Sequence, residues 1–344
     1  MSPTEYSRIT LRSRPVADIV PAENFQTERA PLAALVPGAK QVLAKVTYVS
    51  LDPAMRGWMR DTRSYLPPVQ IGETMRAGGL AVVVQAGEGS KFKKGDTVYG
   101  TTGWAEYAVL DDKSLTLIEP PKGTDALDFL NTLGMPGMTA YFGLHDIGRI
   151  KKGETLVVSG AAGAVGALVC QLGKRLGCRV IAIAGTPEKC AWLEQDLGVD
   201  KALNYKSADF YKEWKALGYL DVYFDNVGGS ILDFALTRLN RNARIVLCGA
   251  ISQYNAAKPE GLTAYLNLIS QRASISGFVV FDYAARYHEA VADIGAGVAD
   301  GSIKRKFHIV DGLENAPEAL KMLFTGGNTG KLVVKVSDGS IAKL

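Results

Sequence analysis

Histidine and cysteine are scarce in this sequence of 344 residues. The three histidines are His145, His288 and His308, and the four cysteines are Cys170, Cys178, Cys190 and Cys248. No two cysteines stand in a C-x-x-C spacing, so neither a zinc cluster nor a dithiol redox centre is expected. A metal site would have to be built mostly from carboxylates, and we expect none here.

Charge of one sign and long apolar runs are also missing. The 39 basic and 35 acidic residues give a net charge of +4 and are spread along the chain, which argues against a nucleic-acid partner. The first 14 residues are polar, and no run of about 18 uncharged apolar residues follows. We therefore expect a cytoplasmic protein without a membrane span. The end Ala342-Lys343-Leu344 is close to a Ser-Lys-Leu signal, which leaves a peroxisomal location as the alternative.

Two kinds of segment follow one another along the chain. In residues 1–130, short β-rich runs alternate with glycine turns, which is typical of a mostly β domain. From Asn131, strands alternate with helix-length segments, which predicts an α/β domain with a parallel sheet over residues 131–301. Its core strands are predicted at 155–159, 179–184, 221–225, 243–248 and 274–280. Residues 302–344 return to short β runs and should rejoin the first domain, with substrate in the cleft between the two domains.

A glycine-rich turn follows the first strand of the predicted parallel sheet. The apolar strand Thr155–Ser159 runs directly into Gly160-Ala-Ala-Gly163-Ala-Val-Gly166, and apolar residues then recur at helical spacing. A strand, a glycine turn and a helix start, in this order, place backbone N–H groups and the positive end of the helix dipole against a pyrophosphate. The pattern therefore predicts a dinucleotide-binding Rossmann unit.

The end of the second strand indicates which dinucleotide is bound. NAD enzymes usually place Asp or Glu there, whereas this strand ends in Gly185-Thr186. Gly185 leaves room for a 2′-phosphate and Lys189 can reach it as a point charge, so we expect NADPH. In the alternative, Lys189 is only a solvated helix residue, and Glu188 would oppose a phosphate if it turned inward.

Five further blocks resemble one branch of the medium-chain dehydrogenase/reductase superfamily. They are Ser50-Leu-Asp-Pro-Ala-Met-Arg56, Gly134–Gly143, Phe224-Asp-Asn-Val-Gly-Gly229, Cys248–Asn255 and Asn328-Thr-Gly-Lys331. The branch contains leukotriene hydroxydehydrogenases, prostaglandin reductases, alkenal double-bond reductases and curcumin reductases. The resemblance implies a doubly wound Rossmann domain, a GroES-like mostly β domain, and no zinc, because Ser50-Leu-Asp52 stands where zinc-dependent members carry a catalytic cysteine. It also implies a homodimer paired through the strand near Ser274–Phe281.

The resemblance further implies a set of cofactor contacts. On the pyrophosphate and adenosine side, the expected residues are Gly160, Ala162, Gly163, Ala164, Val165, Gly166, Gly185, Lys189 and Tyr205. On the nicotinamide side they are Asn226, Cys248, Gly249, Ala250, Ile251, Ser252, Tyr254, Phe278, Val279, Val280 and Asn328. Met138 and Thr139 are two further expected cofactor contacts. Several have plain structural alternatives: Tyr205 as a half-buried aromatic, Asn226 as a turn former and Cys248 as part of the strand core.

The expected chemistry is reduction of an activated C=C bond. Such a reaction needs a hydride at the β carbon, a donor for the carbonyl oxygen and a proton at the α carbon, and a tyrosine hydroxyl suits the donor role. Tyr254 is our candidate for that role and Tyr65 our candidate substrate contact, with water as another proton source. Plant members have a tyrosine where this chain has Ala54, which removes one candidate donor. Arg56 is a further candidate for substrate binding, and we expect Trp58 to be structural.

Two other functions stay open from the sequence. A quinone reductase would use the same cofactor and would also lack zinc. A non-catalytic, crystallin-like protein would bind NADPH tightly without turning over any carbonyl compound. Turnover of an enone or a quinone separates these alternatives from a double-bond reductase.

Overall fold

The chain leaves one folded unit and later returns to it. A computed structural model describes residues 3–340, so the tripeptide Ala342-Lys343-Leu344 lies outside the described residues. Among the described residues, the first unit holds those up to Pro121, Asp125–Leu130 and those from Phe307 onward, and the second holds Lys122–Thr124 and Asn131–Lys306. Within residues 3–340, no helix is long and apolar enough to cross a membrane.

The first unit is built mainly of β-strands. Its larger sheet has the order Phe307–Asp311, Lys331–Lys335, Gln41–Ser50, Gly78–Ala86, Thr97–Thr101 and Thr116–Leu117, with Tyr107–Asp111 also paired to Gln41–Ser50. Neighbours are antiparallel except for Phe307–Asp311 with Lys331–Lys335. A second antiparallel pair joins Glu5–Leu11 to Phe25–Pro31. The helices are Pro21–Asn24, Met55–Trp58 and Ala316–Thr325.

The long helix of this unit has a clear start and stop in the sequence. Pro317 stands in its first turn, where the missing N–H costs no helical hydrogen bond. Gly326 ends the helix in the left-handed conformation at φ 71°, which a residue without Cβ adopts without strain. Ala319 and Leu320 are buried in one apolar cluster with the strand residues Val42 and Val334. The C-terminal segment therefore belongs to the core of the first unit.

The second unit is a doubly wound parallel sheet. Its strands, among the described residues, have the order Lys201–Asn204, Arg179–Ala184, Thr155–Val158, Leu220–Asp225, Leu239–Leu247 and Ser274–Gly277. Every neighbouring pair is parallel. The chain builds outward from Thr155–Val158 first to one side and then to the other, so this strand stands at the topological switch point, where α/β sheets bind ligands.

Helices cover the parallel sheet, and their bounds follow the apolar spacing. They are Met135–Phe142, Ala164–Arg175, Pro187–Gln195, Phe210–Ala216, Gly229–Ala235, Asn267–Gln271 and Tyr287–Ala299, with a π-helical turn at Gly143–Ile147. Gly173 lets the helix Ala164–Arg175 lie close to the sheet, since a Cβ there would come within 2.6 Å of Leu156 Cδ2. The predicted Rossmann arrangement is confirmed.

Three details of the sequence prediction are wrong. The last strand ends at Gly277 instead of Val280, because Val280–Arg286 turns into a 3₁₀-helix. The strand predicted from Ala243 begins at Leu239, since polar side chains at 240–242 interrupt the apolar pattern without interrupting the strand. The strand Lys201–Asn204 was not predicted, because it contains only two consecutive apolar residues, Ala202 and Leu203.

Candidate active site

The glycine turn and the helix after it form a cradle of backbone groups. Gly160 has φ 58°, and a Cβ there would lie 3.2 Å from Asn226 Cβ. The Gly163 N–H donates to Gly160 O at 3.0 Å, and the helix Ala164–Arg175 starts immediately afterwards. No side chain within residues 3–340 caps this helix, so its first N–H groups and the positive end of its dipole can bind an anion.

Glycine is also required one turn into the helix. A Cβ on Gly166 would lie 2.8 Å from Ala161 Cα, which is closer than such atoms can approach. Ala162 and Gly166 are buried, whereas Gly163, Ala164 and Val165 are partly exposed. The exposed part of the turn is therefore the part that can meet a diphosphate.

A buried polar network fixes the turn to the neighbouring strand. The Ser159 hydroxyl donates to the Asp225 carboxylate at 2.8 Å, and the backbone N–H groups of Val227 and Gly228 donate to the same carboxylate at 3.0–3.1 Å. Asn226 is held twice, by its N–H to Ser159 Oγ (2.9 Å) and by Nδ2 to Ser159 O (2.7 Å). Burial raises the pKa of Asp225, which has no exposed surface. The network sets the position of Asn226 at the switch point.

Gly185 and Tyr205 meet at the ends of two adjacent strands. The Tyr205 N–H donates to Ala184 O at 3.0 Å, and a Cβ on Gly185 would lie 2.8 Å from Tyr205 Cε1. Gly185 therefore makes room for the tyrosine ring, which is 42% exposed. Glycine at position 185 therefore has a packing role, in addition to leaving space for a ligand.

Two lysines interact at this end of the sheet, and one of them lies beside the Tyr205 ring. Lys189 lies in the first turn of Pro187–Gln195, where Thr186 Oγ1 accepts its backbone N–H at 3.3 Å. Burial and the Lys206 charge lower the pKa of Lys189. The Lys206 ammonium lies 5.8 Å from the centre of the Tyr205 ring. Because two ammonium groups repel one another, their convergence here favours an anionic ligand.

Sequence reasoning missed Lys206, although it directly follows Tyr205. The signal that would have found it is the strand Lys201–Asn204, whose end brings residues 205–206 beside Gly185. Glu188 does not turn toward the lysines. Its carboxylate accepts hydrogen bonds from its own N–H and from the Thr186 hydroxyl, which lowers its pKa. It is fully exposed at the helix N-terminus, where a negative charge is favourable.

The loop after the fifth strand of the sheet folds Tyr254 back onto its own backbone. The N–H groups of Cys248 and Gly249 donate to Asp225 O at 2.9 and 3.1 Å, and that of Ile251 donates to Asn226 O at 3.2 Å. Tyr254 Oη accepts the Ala250 N–H at 3.1 Å. The predicted residues Asn226, Cys248–Ser252 and Tyr254 are therefore brought together. Burial raises the pKa of Cys248 to about 12, so its thiol is neutral at physiological pH.

The segment Phe278–Val280 follows Gly277, which pairs with Leu247, so it begins at the same carboxyl edge of the sheet as Cys248, whereas Met138 and Thr139 lie in the helix Met135–Phe142. Met138 and Val280 are buried, and Thr139 Oγ1 donates to Met135 O at 2.7 Å. Phe278 packs beside Gly143, where a Cβ would lie 2.7 Å from its Cζ. These residues therefore shape the packing around the helix Met135–Phe142, and Phe278 and Val279 keep partly exposed surface.

The first unit holds the remaining predicted residues. Tyr65 is 50% exposed and its Oη accepts the Trp58 Nε1–H at 3.3 Å. Asn328 Nδ2 donates to Gly330 O at 3.0 Å, within its own turn. Arg56 is 1% exposed and donates to Pro15 O and Ala17 O at 2.9 and 3.0 Å, and burial followed by the Arg60 charge lowers its pKa to about 10. Arg56 thus fastens the N-terminal segment, and its expected role in substrate binding stays a prediction.

An ion pair that the sequence did not suggest joins two of the motif blocks. Lys331 is 1% exposed, and its ammonium donates to Leu51 O at 2.8 Å and to Asp52 Oδ1 at 2.6 Å. The Ser50 hydroxyl donates to the other oxygen of Asp52. Across residues 3–340, no group of three or more His, Cys, Asp and Glu side chains is placed to hold a metal ion.

Comparisons with known proteins cover both units. Residues 7–118 match a family model described as the N-terminal domain of oxidoreductase, and residues 164–295 match one described as zinc-binding dehydrogenase. The chain is 45% identical over 328 residues to a putative NADP-dependent oxidoreductase, YfmJ, of Bacillus subtilis, covering 92% of this chain and 94% of that protein. It is 41% identical over 338 residues to the NADPH-dependent curcumin reductase of Escherichia coli, covering 96% of each.

A solved structure matches both the sequence and the fold. The crystal structure of CurA in complex with NADPH from Vibrio vulnificus superimposes with a TM-score of 0.91 at 42% identity, covering 96% of this chain and 99% of that chain. The predicted pairing of a Rossmann unit with a GroES-like unit is confirmed by this match. On this evidence, the chain belongs to the medium-chain dehydrogenase/reductase superfamily, in its zinc-independent branch of curcumin, alkenal and prostaglandin reductases.

Proposed function

We propose that this oxidoreductase reduces the activated C=C bond of α,β-unsaturated aldehydes and ketones with NADPH. The hydride goes to the β carbon and a proton to the α carbon. The observation that carries the proposal is the folded-back loop after Leu239–Leu247, in which Tyr254 Oη accepts the Ala250 N–H and the loop backbone bonds to Asp225 and Asn226. The name of the Escherichia coli relative and the ligand of the Vibrio vulnificus structure support it.

The residues of the second unit fit NADPH. The first N–H groups of Ala164–Arg175 bind the pyrophosphate, because they combine unpaired donors with the positive end of the dipole. Lys189 and Lys206 bind the 2′-phosphate, and the Tyr205 ring covers the adenosine. The strand Arg179–Ala184 is followed by Gly185, so no carboxylate at this position repels that phosphate.

The bound cofactor supplies the hydride, and the protein supplies position and a donor. In this proposal the Tyr254 hydroxyl, which accepts the Ala250 N–H, donates its proton to the carbonyl oxygen of the bound substrate. That hydrogen bond strengthens as negative charge develops on the oxygen, so it stabilises the transition state more than the ground state. Cys248 stays a neutral thiol and takes no part in proton transfer.

We also propose Tyr65 as a substrate-binding residue, since its side chain is half exposed. The α-carbon proton comes from one of the two tyrosines or from water. Solvent isotope effects on kcat in Tyr254→Phe and Tyr65→Phe variants distinguish these sources.

NADPH oxidation tested with enals, enones and quinones decides between the candidate functions. The proposal predicts turnover of enones and enals to saturated carbonyl compounds, and loss of most of that turnover in Tyr254→Phe. Tyr219→Phe is the matched control, because Tyr219 is exposed and its ring stacks on the Arg238 guanidinium. Turnover of quinones alone would replace the proposal with quinone reduction. Tight NADPH binding without turnover of any of these compounds would indicate a non-catalytic protein.

We further propose that the chain forms a homodimer through its exposed sheet edge. The strand Ser274–Gly277 pairs on one side with Leu239–Leu247, and Ser274, Ser276 and Gly277 are exposed. An edge of this kind needs cover, and a second copy provides it by strand pairing. Light scattering should give twice the chain mass, and Ser276→Pro should reduce it to one chain. A cytoplasmic location stays a prediction, and the relatives lend no support to the peroxisomal alternative.

A further inference from the structure

The segment Phe278–Val280 leaves the parallel sheet at the carboxyl ends of its strands. The strand Ser274–Gly277 ends immediately before it, and a 3₁₀-helix begins at Val280. Phe278 and Val279 keep partly exposed surface, whereas Val280 is buried. Among the residues that the structure describes, the backbone N–H groups of Phe278 and Val279 donate to no other residue. The segment therefore has two backbone donors for a ligand at the end of the sheet where α/β folds bind ligands.

One side chain outside the segment holds its last residue. Tyr287 is the first residue of the last helix of the second unit, and its hydroxyl donates to Val280 O at 3.0 Å. The Met135 sulfur, a far weaker acceptor, lies 3.9 Å from the same hydroxyl oxygen. Burial, followed by the Asp282 charge, raises the pKa of Tyr287, so the hydroxyl keeps its hydrogen at physiological pH. Among the described residues, no other side chain forms a hydrogen bond with the segment.

Aromatic rings hold the other end of the segment by packing. Phe278 meets the Tyr283 ring edge-on with the ring centres 6.5 Å apart, and Tyr283 stacks on Phe142 at 4.7 Å. A Cβ on Gly143 would lie 2.7 Å from Phe278 Cζ, so the phenyl ring fills the space that the glycine leaves. These contacts fix a side chain, whereas the hydrogen bond from Tyr287 acts on the backbone itself.

We propose that Tyr287 is a positioning residue for the nicotinamide end of NADPH. Its hydrogen bond fixes the Val280 carbonyl, and this holds the backbone donors of Phe278 and Val279 against the nicotinamide. Tyr287 touches no cofactor itself and acts through the segment. All of these residues belong to the second unit. The inference rests on the proposed function for the nicotinamide side of the site, but it requires only NADPH and no second substrate.

Binding of NADPH and of 2′-phospho-ADP-ribose to Tyr287→Phe tests the proposal. The second compound is the cofactor without its nicotinamide, and the variant keeps the ring and loses only the hydroxyl. Since loss of one neutral hydrogen bond corresponds to about three- to tenfold in affinity, the Kd for NADPH should rise by that factor. The Kd for 2′-phospho-ADP-ribose should stay within about twofold of wild type. Tyr211→Phe should change neither Kd and is the matched control, because the Tyr211 ring is 42% exposed and packs on Phe210 and Phe234.

Two binding outcomes would overturn the proposal. One is an equal rise of both Kd values in Tyr287→Phe, which would assign the effect to the fold or to the adenosine side of the site. The other is an unchanged Kd for NADPH. If the protein turns over no enone or enal, the proposed function fails, and the binding results still decide the role of Tyr287 because neither titration contains a carbonyl compound.

A measurement on unaltered protein keeps the test independent of how the variant folds. Val280-Phe281 is the only Val-Phe pair in the sequence, so protein labelled with carbonyl-¹³C valine and ¹⁵N-phenylalanine gives one signal for the Val280 carbonyl. NADPH should shift this carbonyl resonance, and 2′-phospho-ADP-ribose should leave it in place, because only the nicotinamide meets the segment. A resonance that shifts equally with both compounds, or with neither, contradicts the inference.

Discussion

Replacing Lys206 by Ala should weaken the binding of NADPH and leave that of NADH unchanged. Lys206 is exposed and Lys189 is partly buried. An exposed ion pair contributes about 0.2–1 kcal/mol, whereas a shielded hydrogen bond to a charged group contributes about 1.5–3 kcal/mol. Since about 1.4 kcal/mol is tenfold in affinity, we expect NADPH Kd to rise about two- to fivefold in Lys206→Ala and about 10- to 100-fold in Lys189→Ala.

The lowered pKa of Lys189 adds a pH dependence with a defined sign. Affinity for NADPH should be full below the folded-state pKa of Lys189 and should fall as the pH rises through it. Because the Lys206 charge contributes to lowering that pKa, Lys206→Met should move the fall to higher pH. Lys206→Met should therefore bind NADPH less tightly than wild type at neutral pH, but its affinity for NADPH should begin to fall only at a higher pH.

Fluorescence titration of NADPH and NADH over a range of pH measures both effects. Competition by 2′-AMP, compared with 5′-AMP, assigns the loss to the phosphate on the ribose. Lys212→Ala is the matched control, since Lys212 is exposed and pairs only with Asp209 among the described ion pairs. Equal losses for NADPH and NADH would refute the placement of the 2′-phosphate. A fall in affinity at the same pH in Lys206→Met and wild type would refute the charge coupling.

Three further variants test the site and its support. Tyr254→Phe should lower kcat for an enone at least about tenfold in steady-state kinetics, while the Kd for NADPH stays the same. An unchanged kcat would show that Tyr254 does not take part in the mechanism. Asp225→Asn weakens the hydrogen bonds from Ser159, Val227 and Gly228, so urea denaturation should show a free energy of unfolding lower by about 1–3 kcal/mol. An unchanged free energy of unfolding would show that this network does not stabilise the fold. Lys331→Met leaves Leu51 O and the partly exposed Asp52 carboxylate without their donor, so the free energy of unfolding should fall by about 1–3 kcal/mol in the same assay. No change would show that the pair does not stabilise the fold.

The parts of the fold that repeat a simple pattern were predictable from sequence. The strand Thr155–Val158, the glycine turn and the helix from Ala164 follow from one apolar run, the glycines and helical spacing, all of which are local. The strand Lys201–Asn204 was missed because its pairing with Arg179–Ala184, and not its own composition, makes it a strand. Lys206 was missed with it, since only that pairing brings it beside Gly185.

The roles of single side chains were harder to predict than their positions. Arg56 was expected to bind substrate from its place in a motif, and the structure adds a contact that the sequence did not suggest: its guanidinium donates to the carbonyls of Pro15 and Ala17, about 40 residues away in sequence. Trp58 looked structural, and its N–H proved to contact the candidate residue Tyr65. Lys331 and Asp52 lie 279 residues apart, so no local pattern relates them. Such partnerships depend on tertiary contacts, which one sequence does not contain.

The most direct test of the central claim is to follow a deuteride from NADPH into product. Wild-type protein would be incubated with an enone and NADPH deuterated at nicotinamide C4, and the product would be examined by NMR and mass spectrometry. The account predicts a saturated ketone that carries one deuterium at the β carbon. An allylic alcohol with deuterium on the carbonyl carbon, or no incorporation while quinones are reduced, would contradict it.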